Sequence, residues 1–164
     1  MPQPARRAAG NAARPARQSA TLKMTRRFSA APGRVFRAFV EPKIFAKWWG
    51  PTGFSLPSHE WNPRPGAIFR LDMHAPSGNV FVLIGQFREV DPPRRLVYTW
   101  TWQQGAAKDH ETLVTLEFRP FGRGTELRLT HELFPTRAVA NRHRGGWTQC
   151  FDRLAALLKG RKPA

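Results

Sequence analysis

The last helical stretch, residues 136 to 159, restricts the fold more than any other part of the chain. Val139, His143, Trp147, Cys150, Leu154 and Leu158 recur at spacings of four, four, three, four and four, with Gly146, Phe151 and Leu157 beside them. That is the period of a helix with one apolar face. Arg142, Arg144, Gln149, Asp152 and Arg153 mostly fall off the stripe, so the opposite face is expected in water. A long helix with a broad aromatic stripe needs a wall to lie against. The expected arrangement is a lid over a cavity, with a ligand between helix and sheet.

The preceding chain supplies that wall. Residues 21 to 29 alternate loosely through Leu22, Met24 and Phe28, interrupted by Arg26 and Arg27, and read as a strand. Ala31-Pro32 opens a short helix with Val35, Phe36, Phe39 and Val40 on its apolar face. Glu41-Pro42 breaks it. A second short helix from Lys43 carries Ile44, Phe45, Trp48 and Trp49 until Gly50-Pro51 stops it. Six strands follow: 54 to 61, with Pro57 marking an edge or bulged strand; 67 to 74; 80 to 90; a strand alternating through Leu96, Tyr98, Trp100 and Trp102; 112 to 119; and 125 to 133. The turns between them are rich in Pro, Gly and Asn, except for a polar loop at 103 to 110. Strand, two short helices, six strands and a long helix form an α+β pattern, and sequential hairpins imply an antiparallel sheet.

Composition bounds the function classes. With 41% apolar residues in 164, the chain supports one domain with a substantial core. It divides into a basic disordered tail over 1 to 19, a domain over 20 to 160 and a short tail over 161 to 164. Twelve Phe, six Trp and one Tyr make the interior strongly aromatic. The net charge of +16 invites a nucleic-acid reading, but seven of those charges sit at the two ends, on Arg6, Arg7, Arg14, Arg17, Lys159, Arg161 and Lys162. The rest is dispersed, with no lysine run or nucleic-acid motif, which argues against that partner. Pro2, Pro4 and Pro15 work against an amphipathic transit peptide in the first tail. No run of apolar residues is long enough to span a membrane and there is no signal peptide. The lone Cys150 reads as a buried thiol in a reducing compartment, and the expected location is the cytoplasm.

Several stretches then resemble one family. Phe28-Ser-Ala-Ala-Pro-Gly-Arg-Val-Phe-Arg-Ala-Phe-Val-Glu-Pro, Trp48-Trp49-Gly50-Pro51, Asp91-Pro92-Pro93-Arg94-Arg95-Leu96-Val97-Tyr98-Thr99-Trp100, Leu129-Thr130-His131-Glu132, and His143-Arg144-Gly145-Gly146-Trp147 with Asp152-Arg153-Leu154 look like successive blocks of the SRPBCC (START-like) superfamily. The branch is that resembling the C-terminal domain of the activator of the heat-shock protein 90 ATPase. The resemblance covers about residues 21 to 158 and implies a helix-grip fold, a curved antiparallel sheet gripping the long C-terminal helix around a cavity. The superfamily includes hydrophobic-ligand binders, lipid carriers, cyclases and co-chaperone modules linked to the stress response, so fold alone does not select among them. Gly66-Ala67 stands where relatives often have paired glycines, and Asn62 where an aspartate is often found.

The candidate site follows from phase. His131 shares a face with Leu127 and Leu129, and His143 lies on the helix stripe, so the two can approach the cavity from facing elements. The alternative is that each is a core or capping histidine satisfied locally. Trp49, Trp61, Phe69, Met73, Phe81, Phe87, Tyr98, Trp100, Trp102 and Trp147 complete a lining suited to apolar ligands of varied shape, with plain core packing as the competing reading. Apolar walls would supply affinity and Tyr98, His131 and His143 orientation. The five histidines are dispersed without zinc-site spacing, so no metal and no cofactor are expected. No nucleophile elbow or phosphate loop appears, and no catalytic residue is assigned. The expected partner is a small hydrophobic, aromatic or polycyclic molecule. A chaperone-interaction module and a cyclase or hydrolase using the same cavity are the alternatives, and a homodimer is compatible with either.

Overall fold

The structure is a computed structural model that describes residues 19 to 164. All but the last residue of the basic tail expected over 1 to 19 lies outside the described residues. Strand β1 (Ala20–Phe28) leads into helices α1 (Pro32–Val40) and α2 (Pro42–Trp48). Both helices start on a proline in the first turn, where a missing N–H costs nothing. Pro42 therefore ends one helix and begins the next. Trp49, expected inside the second helix, is instead its extended cap residue, so its side chain departs from that of Trp48.

Strands β2 (Ser55–Glu60), β3 (Ile68–His74), β4 (Val80–Asp91), β5 (Arg95–Trp102), β6 (Thr112–Phe121) and β7 (Gly124–Phe134) follow, then helix α3 (Arg137–Leu158). They form one curved seven-stranded sheet, ordered β1-β7-β6-β5-β4-β3-β2 and antiparallel throughout. β2 lies at an edge with an irregular register between Ser55 and Ser58, as Pro57 implies. Alternation is clean on β6 and β7. Val114, Leu116 and Phe118 are buried opposite His131, Leu129 and Leu127, while on the outward face Arg119 pairs with Glu117 and Arg128 with Glu126. Arg26 interrupts the apolar phase of β1 because its guanidinium reaches α3, where it meets Asp152 Oδ1 at 2.7 Å.

Two glycines shape the sheet. Gly66 has φ +85°, which an L side chain rarely adopts, whereas Ala67 lies outside the left-handed region. The alanine at 67 therefore costs this turn nothing. At Gly85 a Cβ would collide with the Thr99 carbonyl oxygen and the Phe69 ring, so only glycine lets β4 approach β5 there.

Helix α3 starts at Thr136, whose side-chain oxygen accepts the Val139 N–H at 3.2 Å. It lies across β1 and β7 and meets α2, closing over the concave face of the sheet. The helix-grip architecture is that expected from the sequence.

Candidate functional site

The inward face of the sheet carries two aromatic regions. Beneath α1 and α2, Trp61 stacks on Phe45 with ring centroids 4.1 Å apart and meets Phe69, Phe87 and Tyr98 edge-on at 4.9, 4.8 and 5.7 Å. Its indole N–H donates to Phe39 O at 2.7 Å, and that of Trp48 to Ala38 O at 3.0 Å. This region is filled. Trp49 joins it to the second region, stacking on Phe45 and standing edge-on to Trp147 at 5.5 Å.

The second region surrounds a cavity of about 330 Å³, within the size range of small-molecule sites. Helix α3 contributes Val139, Arg142, His143, Gly146, Trp147 and Cys150; β5 contributes Trp100 and Trp102; Met73 and Phe81 come from the β3–β4 hairpin, and Trp49 and Pro51 from the turn after α2. The remaining wall is Gln104, Gly105, Ala106 and Ala107, from the loop read as merely polar. Gln104 holds that loop in place by pairing with β4 as a strand would. Its Oε1 accepts Val82 N–H at 2.9 Å and its Nε2 donates to Val80 O at 2.8 Å.

Of the side chains read as a lining, the cavity brings together Trp49, Met73, Phe81, Trp100, Trp102, His143 and Trp147. Trp61, Phe69, Phe87 and Tyr98 belong to the packed region, and His131 is fully buried behind Trp147. Gln104, Ala106, Ala107 and Gly146 were not foreseen. Two signals pointed to them, the small apolar pair inside the polar loop and the glycine pair inside a long helix. Cys150, expected as a buried thiol on the helix stripe, lines the cavity.

Both histidines are neutral, and their tautomers follow from donor identity. An indole N–H only donates. Trp147 Nε1 therefore donates to His131 Nδ1 at 3.1 Å. His131 Nε2–H in turn donates to Thr112 Oγ1 at 2.7 Å, whose own proton goes to Trp100 O at 3.1 Å. By the same logic Trp102 Nε1 donates to His143 Nε2 at 2.9 Å, and His143 Nδ1–H donates to Val139 O at 2.8 Å. Burial holds His131 well below the usual imidazole range, with the neighbouring His143 adding to the effect. His143 is also lowered, first by burial, with Arg142 adding and the Val139 carbonyl opposing. Each imidazole spends its basic nitrogen on a tryptophan. The pair aims the indoles of the wall.

Arg153, expected off the apolar stripe and in water, is buried instead. Its Nη1 donates to Trp49 O, Gly50 O and Pro51 O at 2.8, 3.0 and 3.3 Å, and its Nη2 to Phe54 O at 3.1 Å. It thus ties the turn bearing Trp49 and Pro51 to α3. Burial pushes the Cys150 thiol up to about 12, so it stays protonated and is a poor nucleophile. Among the described residues no group of three or more His, Cys, Asp or Glu could hold a metal ion, and no helix is long and apolar enough to cross a membrane.

Comparison with known proteins decides the family. The profile of the activator of Hsp90 ATPase homolog 1-like protein family matches residues 29–159, most of the chain. The chain belongs to this family. Among solved structures of like fold, a Chromobacterium violaceum protein is 31% identical with a TM-score of 0.77, covering 84% of this chain and 96% of its own. The AHSA1 protein of Silicibacter pomeroyi is 28% identical with a TM-score of 0.79, covering 85% and 98%. A Mesorhizobium loti protein is 28% identical with a TM-score of 0.71, covering 86% and 98%. Among curated proteins none matches. Membership in the Hsp90 ATPase activator homolog family places the chain among SRPBCC-like folds, which generally bind hydrophobic ligands.

Proposed function

We propose that this protein binds a small hydrophobic ligand, aromatic or polycyclic, in the cavity between α3 and the sheet. The observation that carries the reading is the wall itself. Four of the six tryptophans, which touch one another ring to ring, border one space of about 330 Å³ together with Phe81, Met73 and Val139. Apolar area removed from water contributes roughly 25 cal/mol per Å², so such walls supply affinity without a specific polar partner. The site is a binding site rather than a catalytic one, because both histidines have their basic nitrogens engaged and the thiol is protonated. A cytoplasmic location accords with this role.

The test uses Gly146, where an added Cβ meets nothing within 4 Å. Native mass spectrometry of protein purified without denaturation is expected to show the wild-type chain carrying one co-purified small molecule per chain, whether alone or as a homodimer. Gly146→Leu, which projects into the cavity, is expected to carry none. A tightly folded wild type that takes up no apolar compound during titration would defeat the reading.

The family match favours a second reading, a chaperone-interaction module, since the family is described by its likeness to an activator of the Hsp90 ATPase. A rise in Hsp90 ATPase rate on adding this chain, undiminished in Gly146→Leu, would favour that role over ligand binding.

A further inference from the structure

The polar side chains of the cavity wall are unevenly satisfied. Its acceptors are engaged: Gln104 Oε1 takes the Val82 N–H and His143 Nε2 takes the Trp102 indole. Its donors are not. The indole N–H groups of Trp49 and Trp100 are buried and have no hydrogen-bond partner. These two rings adjoin, with centroids 5.8 Å apart, and both touch Trp147, at 5.5 and 5.4 Å. The two rings that carry the unspent donors therefore stand side by side in the cavity wall under α3. Buried polar groups are nearly always paired, and an orphan carries its full desolvation cost. The other four tryptophans of the chain all have acceptors: Trp48 and Trp61 find backbone carbonyls, Trp102 and Trp147 find histidines. The two without one both line the cavity.

Resting on the reading of the cavity as a ligand site, we propose that its ligand is a flat aromatic molecule bearing a carbonyl-type oxygen, as in a ketone, quinone or carboxylate, which accepts from Trp49 and Trp100. An amine or alcohol fits worse. Its own donor would be buried against a wall whose side-chain acceptors are already engaged. Both indole N–H groups are shielded from solvent, so binding turns the rings toward the acceptor.

Calorimetric titration of the full chain would compare naphthalene, 2-acetylnaphthalene and 2-naphthylmethylamine, which share a ring system and differ in the polar group. The ketone is expected to bind about tenfold tighter than naphthalene, and the amine more weakly than either. In the Trp49→Phe, Trp100→Phe double variant the ketone-to-naphthalene ratio is expected to fall toward one, and each single variant is expected to lower it in part if the double variant does not fold. In the wild type, the Trp49 and Trp100 indole N–H resonances are expected to lie farther downfield with the ketone bound than with naphthalene bound. Equal binding of all three probes, or a ketone preference that survives in the variants, overturns this inference and leaves the cavity reading standing. Failure of all three to bind a chain that unfolds cooperatively overturns both.

Discussion

Trp61 and Trp100 are both buried tryptophans on the inward side of one sheet, yet their surroundings differ. The Trp61 ring is stacked on Phe45, ringed by Phe69, Phe87 and Tyr98, and bonded to a backbone carbonyl. Trp100 meets Trp49, Trp102 and Trp147, has no partner for its N–H, and borders open space. The difference comes from what covers each. Two short helices starting on prolines bring Phe39, Phe45 and Trp48 down onto the Trp61 region. The N-terminal half of α3 covers Trp100 instead, and it carries a glycine, Gly146, where a side chain would fill the gap. Aromatic content builds core or pocket according to what is laid over it.

The comparison can be broken most forcefully at Trp61. Trp61→Ala is expected to destabilise the fold by about 3–5 kcal/mol, read from the urea midpoint. Trp102→Ala, on the half-exposed cavity wall, is expected to cost less than half as much. Equal losses would mean that the two regions are equally packed.

Arg153→Met tests the tie between the regions. It removes donors to four carbonyls of the 49–54 turn, and a loss of roughly 2–3 kcal/mol is expected. Weaker binding of apolar probes should accompany it, as Trp49 and Pro51 lose their hold.

Acid should act on the cavity side through the histidines. His131 and His143 are held neutral in the fold, below the unfolded imidazole value near 6.5. Between their folded values and about 6.5 the unfolded chain binds more protons. The stability they confer is therefore complete above about pH 6.5 and is lost as pH falls below it, by up to about 1.4 kcal/mol per pH unit for each histidine. His131→Phe should flatten that slope in denaturation measured from pH 7.5 to 5. An unchanged slope would show that the Trp147 and Thr112 bonds do not fix the neutral form.

The smallest expected effect is at Gly146. Gly146→Leu should leave the chain no less stable, and up to about 1 kcal/mol more so from helix propensity, while removing ligand uptake. A loss of several kcal/mol would mean that the space it enters is already filled.

Much of the fold was legible in the sequence. The phases of β6 and β7, the edge position announced by Pro57 and the helical stripe of α3 depend on local period, which the chain states directly. The division of the site was not. Phe69 and Met73 alternate on the same face of β3, and Tyr98 and Trp100 on the same face of β5, yet one of each pair is core and the other cavity wall. Phase reports which side of a sheet a residue faces and not what arrives above it. Arg153 was missed for a related reason: its charge suggested solvent, and the carbonyls that satisfy it lie about a hundred residues away. Gln104 and Ala107 were hidden in a loop whose fold depends on pairing with β4.

The most direct test of the two-region account uses the six tryptophans as reporters. In a proton–nitrogen correlation spectrum each indole N–H gives one resonance, assigned by single Trp→Phe variants. On addition of naphthalene, the resonances of Trp49, Trp100, Trp102 and Trp147 are expected to shift, and those of Trp48 and Trp61, bonded to Ala38 O and Phe39 O, to stay. Six unmoved resonances at saturating probe, or shifts of Trp48 and Trp61 as large as those of the other four, would contradict it.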